Sequence, residues 1–222
     1  MLLLAVDTSG AQVSVALHDG GRLLARRDVA DPRRHAEVLA PSLTAVLAEA
    51  GRQIHEVSDV AVGVGPGPFT GLRVGLVTAD MLGHVLGVPV HGVCSLDGLA
   101  LAAVRAGTAG PAEEFCVATD ARRREVYWAR YRGGRRLAGP AVDAPADLPR
   151  DGLPVIGRGG LLYPEVLGPV REPFDVSAAD VAELAVAALS GDPEVEGLLP
   201  PEPLYLRRPD AVEPAARKRV LR

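Results

Sequence analysis

The stretch LLLAVDTSGAQVSVALHDGGRLLARRDV, residues 2–29, decides the fold of this 222-residue chain. Residues 2–6 form a continuous apolar run, which is typical of a strand covered on both faces. Residues 12–17 alternate between polar and apolar side chains, which predicts a second strand with one buried face. The glycines of the segment 18–21 predict a tight hairpin turn into a third strand over residues 22–29.

Helices and strands alternate after these three strands. Leucines recur at every fourth position between residues 35 and 50, which predicts a helix there. Pro41 is best tolerated in a first turn, so the regular helix is expected to start nearer Ala40. The elements predicted next are a strand over 60–64, a helix over 70–86, a strand over 88–93 and a helix capped by Ser95.

The GTAGP segment, residues 107–111, predicts a domain boundary. We therefore divide the chain into an N-terminal lobe, 1–106, and a smaller C-terminal lobe, 107–222, that ends in a basic tail. The second half repeats the order of the first, with strands predicted over 115–119, 125–131, 135–142 and 153–156 and a helix starting at Ser177. This order predicts an α/β fold of two tandem RNase H-like lobes, the second truncated, as in the actin-like ATPases.

Composition excludes several classes of protein. The chain is 48% hydrophobic and 23% charged, as in an ordinary globular protein, and its net charge of -4 argues against general nucleic-acid binding. Two cysteines cannot form a disulfide framework or a four-ligand zinc site. No apolar run reaches the roughly 20 residues of a membrane span, so a cytoplasmic location is expected.

The GPGPFTG segment, residues 65–71, invites comparison with nucleotide-binding loops. It matches neither the P-loop nor the dinucleotide fingerprint, and the only lysine of the chain is Lys218. Its glycines predict a tight corner between a strand and a helix, while an anion at the start of that helix stays possible. The candidate contacts for an anion or nucleotide are Asp7, Thr8, Ser9 and Thr70.

Catalytic and metal-binding patterns are weak. Asp7 and Asp120 each follow the first strand of a half, where an actin-like ATPase would use a carboxylate to hold a metal-bound water. The closest histidines, His84 and His91, straddle Gly87 and Pro89 and so do not share a helix face. We expect no catalytic residue, no metal and no cofactor.

The first two helices carry more apolar surface than one sheet needs. Gly75, Ala79 and Gly83 recur every four residues, and such a row of small residues lets another helix approach closely. Either the second lobe covers both faces, or one face binds a protein partner. The predicted partner interface consists of Val38, Leu39, Leu43, Val46, Leu72, Gly75, Leu76, Ala79 and Gly83.

Arginines cluster in two places. Residues 122–124 are predicted to sit at a hairpin turn, and Arg217, Lys218, Arg219 and Arg222 crowd the C-terminus. Each cluster could contact nucleic-acid phosphates or be a solvated turn or tail. No aromatic residue interleaves them in the sequence as a stacking platform would require.

Several motifs together resemble the bacterial TsaB (YeaZ) family. The resemblance runs from near the first residue to about Arg207 and is most specific in the segment 65–75, where Pro68 replaces the usual serine. The motifs, in family order, are LAVDTS (4–9), GPGPFTGLRVG (65–75), CSLDGLA (94–100), DAR with EVY (120–122, 125–127) and PLYLR (203–207).

The resemblance implies an actin-like (ASKHA) fold and a non-catalytic partner of the TsaD protein. With the ATPase TsaE, such a pair transfers a threonylcarbamoyl group to the adenosine next to the anticodon of tRNAs that read codons beginning with A. It also implies that the first two helices dock TsaD, as a heterodimer, or a second copy of the chain. The alternatives are an active actin-like ATPase, kinase or metallopeptidase, and a stand-alone RNA-binding module.

Overall fold

The computed structural model describes residues 1–31 and 34–207. The strands of its first sheet are β1 (Leu3–Asp7), β2 (Val13–His18), β3 (Leu23–Val29), β4 (Asp59–Gly63) and β5 (Val90–Val93). Those of its second sheet are β6 (Glu114–Asp120), β7 (Val126–Arg132), β8 (Arg135–Asp143), β9 (Val155–Ile156) and β10 (Val170–Arg171). The helices are α1 (His35–Glu49), α2 (Phe69–Leu86), α3 (Ser95–Arg105), α4 (Arg158–Leu162), α5 (Pro164–Leu167) and α6 (Ala178–Leu189), with short 3-10 turns at Ile54–Glu56 and Pro145–Asp147.

The two sheets have the same strand order. The first runs β3-β2-β1-β4-β5 and the second, read in the corresponding direction, runs β8-β7-β6-β9-β10. In each sheet the first three strands pair antiparallel, and the fourth and fifth are added in parallel. This repeated order confirms the prediction of two RNase H-like lobes, and the two-residue strands β9 and β10 show how the second is shortened.

Each of the two helices between the sheets, α3 and α6, packs on the sheet of the other half of the chain. Helix α6, from the C-terminal half, packs across β1 and β2 of the first sheet, while α3 packs on the second sheet and against α6. The resulting central core joins side chains of both sheets, including Leu3, Phe115 and Tyr131, with Leu99 of α3 and Val181 of α6. All strands of the first sheet lie before residue 94 and all strands of the second after residue 113; the boundary at 106 and 107 stays a prediction.

Helices α1 and α2 cover the other face of the first sheet. A second core lies there, with Leu4, Val15 and Leu17 of the sheet against Leu39 of α1 and Leu72 of α2. The two helices thus stand on the side of the first sheet that faces away from the second lobe.

The structure contradicts one expectation about the helices and confirms another. Helix α1 begins at His35 and contains Pro41, so a start near Ala40 is wrong. Pro41 and Glu37 are both exposed, so the Glu37 carbonyl that lacks a donor from Pro41 can bond to water. The cap at Ser177 is confirmed, since its side chain accepts a hydrogen bond from the Ala179 amide at 3.3 Å.

In the described part of the chain, none of the helices is both long and apolar enough to cross a membrane.

Candidate functional site

The carboxylate of Asp7 lies at the end of the central strand of the first lobe and is buried. Its Oδ1 accepts hydrogen bonds from the amide and the hydroxyl of Ser9, both at 2.8 Å. Its Oδ2 accepts one from the Ser95 hydroxyl at 2.6 Å, and the Gly65 amide in turn donates to Ser95 Oγ at 3.1 Å. The carboxylate thereby joins β1, the GPGPFTG corner and the start of α3. Ser95 is the first residue of α3 rather than its cap, so that expectation is wrong.

Two glycines allow the chain to close around this carboxylate. A Cβ atom at Gly63 would lie 1.8 Å from Asp7 Oδ2, and one at Gly67 would lie 2.3 Å from the Ser9 carbonyl oxygen. Gly65 has a φ of +92°, in the region that favours glycine. The GPGPFTG segment is therefore a tight corner packed onto Asp7, as one of the two interpretations of its glycines predicts.

Burial raises the pKa of Asp7, and hydrogen bonds from Ser95 and Ser9 oppose that rise. These three bonds engage both carboxylate oxygens within the protein. The geometry makes Asp7 a structural element of the lobe.

The other residues predicted to contact an anion differ in their exposure to solvent. The Thr8 hydroxyl donates to the Gly71 carbonyl at 2.8 Å and accepts from the Gly75 amide at 2.9 Å. Thr8 and Ser9 are buried, whereas Thr70 is exposed in the first turn of α2. The structure thus brings Asp7, Thr8 and Ser9 together but leaves Thr70 apart, and anion binding by these residues stays a prediction.

A cleft separates the two lobes next to this cluster. Its lining includes Ser9, Pro68, Asp120 and Arg158, and its volume is about 40 Å³, room for about three water molecules. Asp120 pairs with Arg122 at 3.1 Å. Both carboxylates that the sequence singled out thus contact neighbouring residues of the chain.

The predicted interface residues lie mainly beneath the helices. Val38 and Leu43 are half-buried, while the other seven are buried against the chain's own first sheet: Leu39, Val46, Leu72, Gly75, Leu76, Ala79 and Gly83. A Cβ at Gly75 would lie 2.5 Å from Thr8 Oγ1, and one at Gly83 would lie 2.3 Å from Val90 Cγ2. The small residues therefore admit side chains of the chain itself, and their predicted part in a partner interface stays a prediction.

An apolar stripe remains exposed on the outer face of α2, and we call it the α2 stripe. It consists of Phe69, Val77, Met81 and Val85, whose exposed fractions are 56%, 60%, 56% and 73%. Helix α1, which contacts α2, exposes a row of small residues at a spacing of four: Ala36, Ala40, Thr44 and Ala48. The sequence contained this signal, since Val77, Met81 and Val85 recur at every fourth position, but the leucines and glycines of the inner face are more conspicuous.

Thiol and metal chemistry have little support in the described residues. Burial raises the pKa of Cys94 to about 12 and that of Cys116 to about 11, so neither is a thiolate at neutral pH. Within residues 1–31 and 34–207, no three histidine, cysteine or acidic side chains come together in a group that could hold a metal ion.

Comparison with known proteins places this geometry in a family. The family described as "TsaD: tRNA N6-adenosine threonylcarbamoyltransferase" matches residues 29–162, more than half of the chain. The structure of YeaZ from Pseudomonas aeruginosa is 33% identical, with a TM-score of 0.78 over 92% of this chain and 99% of that one. The tRNA threonylcarbamoyladenosine biosynthesis protein TsaB of Escherichia coli is 36% identical over 59% of this chain and 55% of its own length.

Mycobacterial proteins align over more of the chain. An uncharacterised protein of Mycobacterium tuberculosis is 45% identical over 94% of this chain and 93% of its own length. One of Mycobacterium leprae is also 45% identical, and there the alignment spans 95% of this chain but 56% of the relative.

Two repeated lobes, exchanged helices and a carboxylate at the end of each first strand define the fold of two tandem RNase H-like lobes, the architecture of actin-like (ASKHA) proteins. The match to YeaZ over almost the whole chain agrees with that class. The chain belongs to the TsaD-related family and, within it, to the TsaB (YeaZ) group.

Proposed function

We propose that this protein is a non-catalytic subunit that binds a TsaD homologue and supports the formation of N6-threonylcarbamoyladenosine next to the anticodon of tRNAs reading codons beginning with A. The names of its TsaB relatives support a place in threonylcarbamoyladenosine biosynthesis. In this proposal the transfer reaction takes place on the partner, and the present chain contributes a binding surface.

The observation that carries the proposal is the α2 stripe. Four large apolar side chains of this one helix are each more than half exposed, and the helix lies on the side of the first sheet opposite the second lobe. Exposed apolar surface of this kind is typical of protein interfaces. The exposed small residues of α1 would let a partner helix approach α1 closely.

The closure of the chain around Asp7 supports a non-catalytic role over an ATPase, kinase or metallopeptidase. An ATPase of this fold needs space at the carboxylate for a metal-bound water and phosphates, whereas Gly63 and Gly67 bring protein atoms there. One solved structure from Pseudomonas aeruginosa is described as similar to "peptidase YEAZ", and peptidase activity is the competing proposal.

The remaining partners follow from the same surface. We propose that the α2 stripe binds either the TsaD homologue or a second copy of this chain. The ATPase TsaE joins the complex that contains the TsaD homologue. Tyr205 and Phe69 stack at the N-terminal end of the stripe with ring centroids 5.5 Å apart, which marks where this surface ends. We place the assembly in the cytoplasm, where tRNA is modified.

Reconstitution tests the proposal. The TsaD and TsaE homologues from the same cell, tRNA and threonylcarbamoyl-adenylate are incubated with and without this protein, and modified adenosine is measured by mass spectrometry. We expect modification to depend on the protein, and we expect the protein alone to hydrolyse no ATP. Full modification without the protein, or ATP hydrolysis by the protein alone that Asp7→Asn abolishes, would refute the proposed role.

A further inference from the structure

The segment after α6, residues 192–207, crosses from one lobe to the other outside any helix or strand, and we call it the strap. It ends beside the arginine turn, residues 122–124, which joins β6 to β7. The strap lies wholly within the described residues, and none of its residues is buried. The contacts that attach it to the rest of the chain therefore decide whether it stays in place.

The first half of the strap lies over a cavity. A space of about 160 Å³ is lined by residues 194–198 on one side and by Cys94 and Asp97, at the start of α3, on the other. Densely packed protein has few voids of this size, so the strap does not pack closely here. Glu196 pairs with Arg136 of β8 at 3.4 Å, but its side chain is 42% exposed, and an ion pair in water contributes little.

The second half of the strap is attached to the first lobe. The Leu199 amide donates to the Gly92 carbonyl at 2.8 Å, and the Gly92 amide donates to the Leu199 carbonyl at 2.9 Å, at the edge strand β5. The Leu204 amide donates to the Val64 carbonyl at 2.9 Å. The side chains of Leu199 and Leu204 are half-buried and pack against the cores on both faces of the first sheet. These contacts hold the strap over the edge of the sheet.

The end of the strap contacts both lobes. The Tyr205 ring stacks on Phe69 of α2, in the first lobe, with ring centroids 5.5 Å apart. Arg207 pairs with the carboxylate of Glu125 and donates a hydrogen bond to the Ala121 carbonyl at 3.3 Å, both in the second lobe. The strap is therefore a connection between the lobes that is added to the packing of α3 and α6.

The same end of the strap belongs to the surface of the α2 stripe. Phe69 is 56% exposed and Tyr205 is 46% exposed, and Arg73 lies over the Phe69 ring, 5.0 Å from its centroid. The stacked ring and the cation together hold Phe69 in one orientation. If the strap opens, Phe69 loses the ring stacked on it, and a protein that binds the stripe has to order this end of the surface. A protein of this kind binds the closed form more tightly and stabilises that form by the same free energy.

We propose that the strap is a clamp that opens locally, and that the protein bound at the α2 stripe holds it closed. The inference rests on the proposed function for the identity of that protein, the TsaD homologue. It adds that binding at α2 is transmitted to the edge of β5 and to the contact between the lobes. A segment without buried residues opens at a lower free energy than the sheet beneath it, because opening breaks only the contacts of the segment itself.

Amide hydrogen exchange of the full-length protein, followed by nuclear magnetic resonance, tests local opening. Three amides donate hydrogen bonds between the strap and the first lobe, those of Gly92, Leu199 and Leu204. In the protein alone they should exchange at least about tenfold faster than the Val60 amide, which donates to the Pro89 carbonyl at 3.0 Å within the first lobe.

Substitution of the stacked ring tests what keeps the strap closed. Tyr205→Ala should raise the exchange rates of the three strap amides about tenfold, because it removes the stacking contact, and Tyr205→Phe should leave them unchanged. Leu161→Ala is the matched control, since it truncates a side chain of similar exposure, 44%, in the second lobe. Far-UV circular dichroism checks each fold, and Phe69→Ala replaces Tyr205→Ala if the latter does not fold.

Addition of the TsaD homologue tests the coupling. At saturation it should slow the exchange of the strap amides at least about tenfold and leave the Asp19 amide, in the turn between β2 and β3, unchanged. In the reverse direction, Gly92→Ala should weaken binding of the homologue at least about fivefold in calorimetry, although residue 92 lies on β5. A Cβ there would lie 2.5 Å from the Pro200 carbonyl oxygen and would push the strap away. Leu199→Ala takes its place if that variant does not fold.

Three results would overturn the inference. They are strap amides that exchange as slowly as that of Val60, equal rates in Tyr205→Ala and Leu161→Ala, and tight binding of the TsaD homologue that leaves the strap amides unchanged. The last result refutes the inference and leaves the proposed function intact. No binding of the homologue at all refutes the proposed function and the coupling with it, while the exchange rates of the protein alone still decide whether the strap opens locally.

Discussion

The hydroxyl of Ser95 donates a hydrogen bond of 2.6 Å to the buried carboxylate of Asp7, 88 residues away in the sequence. The same hydroxyl accepts from the Gly65 amide, and the Ser95 amide donates to the Gly65 carbonyl at 2.8 Å. One side chain thereby fixes the corner after β4 to the end of β1 and to the first turn of α3. Because α3 packs on the second sheet, this contact also helps set the position of the lobes.

Ser95→Ala should therefore destabilise the fold. The substitution removes a donor from a buried carboxylate and an acceptor from a buried amide, so we expect the free energy of unfolding to fall by about 1–3 kcal/mol. Urea denaturation followed by circular dichroism measures the change. Ser190→Ala, at the exposed C-terminus of α6, should leave the midpoint unchanged, and an equal shift in both variants would contradict the account.

A methyl group at residue 63 should be more damaging. The Cβ of Gly63→Ala would lie 1.8 Å from Asp7 Oδ2, a distance that requires the buried carboxylate to leave its hydrogen bonds or the strands to shift, so we expect a loss of about 3 kcal/mol or more. Gly10→Ala is the control, because a Cβ there has no neighbour within 4 Å and its φ is not in the left-handed region. If both variants melt at the temperature of the unmodified protein, the chain does not pack tightly around Asp7 at residue 63.

Asp180 should make the stability depend on pH. Burial raises its pKa from 3.8 to about 6, while Arg105 and Arg26 oppose the rise and Glu183 and Asp28 add to it. The folded state thus binds the proton more tightly than the unfolded state does. The stabilisation from this proton is complete below pH 4 and is lost as the pH rises through about 6, which amounts to about 3 kcal/mol.

The variant Asp180→Asn tests this sign. Its free energy of unfolding relative to that of the unmodified protein should increase between pH 4 and pH 7, as measured by urea denaturation at several pH values. Glu165→Gln, in a short helix of the second lobe, serves as the control. A difference between Asp180→Asn and the unmodified protein that is constant over this range would contradict the predicted shift.

The repeated strand order was predictable because the alternation and the hairpin glycines are local signals. The exchange of α3 and α6 between the sheets was not, since periodicity shows that a helix has an apolar face but not which sheet covers it. For the same reason Gly75 and Gly83 were assigned to a partner, although they admit Thr8 and Val90. Stacking of Phe69 on Tyr205 joins residues from different halves of the chain, so no sequence pattern near the arginine turn indicated an aromatic neighbour.

Substitutions on the buried and on the exposed face of α2 should differ in their effect on stability. Leu76 is 5% exposed in the core beneath the helix, so Leu76→Ala should lower the free energy of unfolding by about 2–5 kcal/mol. Val77 is the next residue and is 60% exposed, so Val77→Glu should leave the thermal midpoint within about 2 °C of the original. Differential scanning calorimetry of both variants checks the assignment of the two faces.

The central claim, that the α2 stripe binds the TsaD homologue, is tested most directly by isothermal titration calorimetry of that homologue with Val77→Glu and Met81→Glu. A carboxylate buried without a partner in an apolar interface costs several kcal/mol, so each variant should bind at least about a hundredfold more weakly than the unmodified protein. Leu161→Glu, which places the same charge at a 44% exposed leucine of the second lobe, should bind with unchanged affinity. Unchanged affinity of both stripe variants, with Leu161→Glu behaving no differently, would contradict the account.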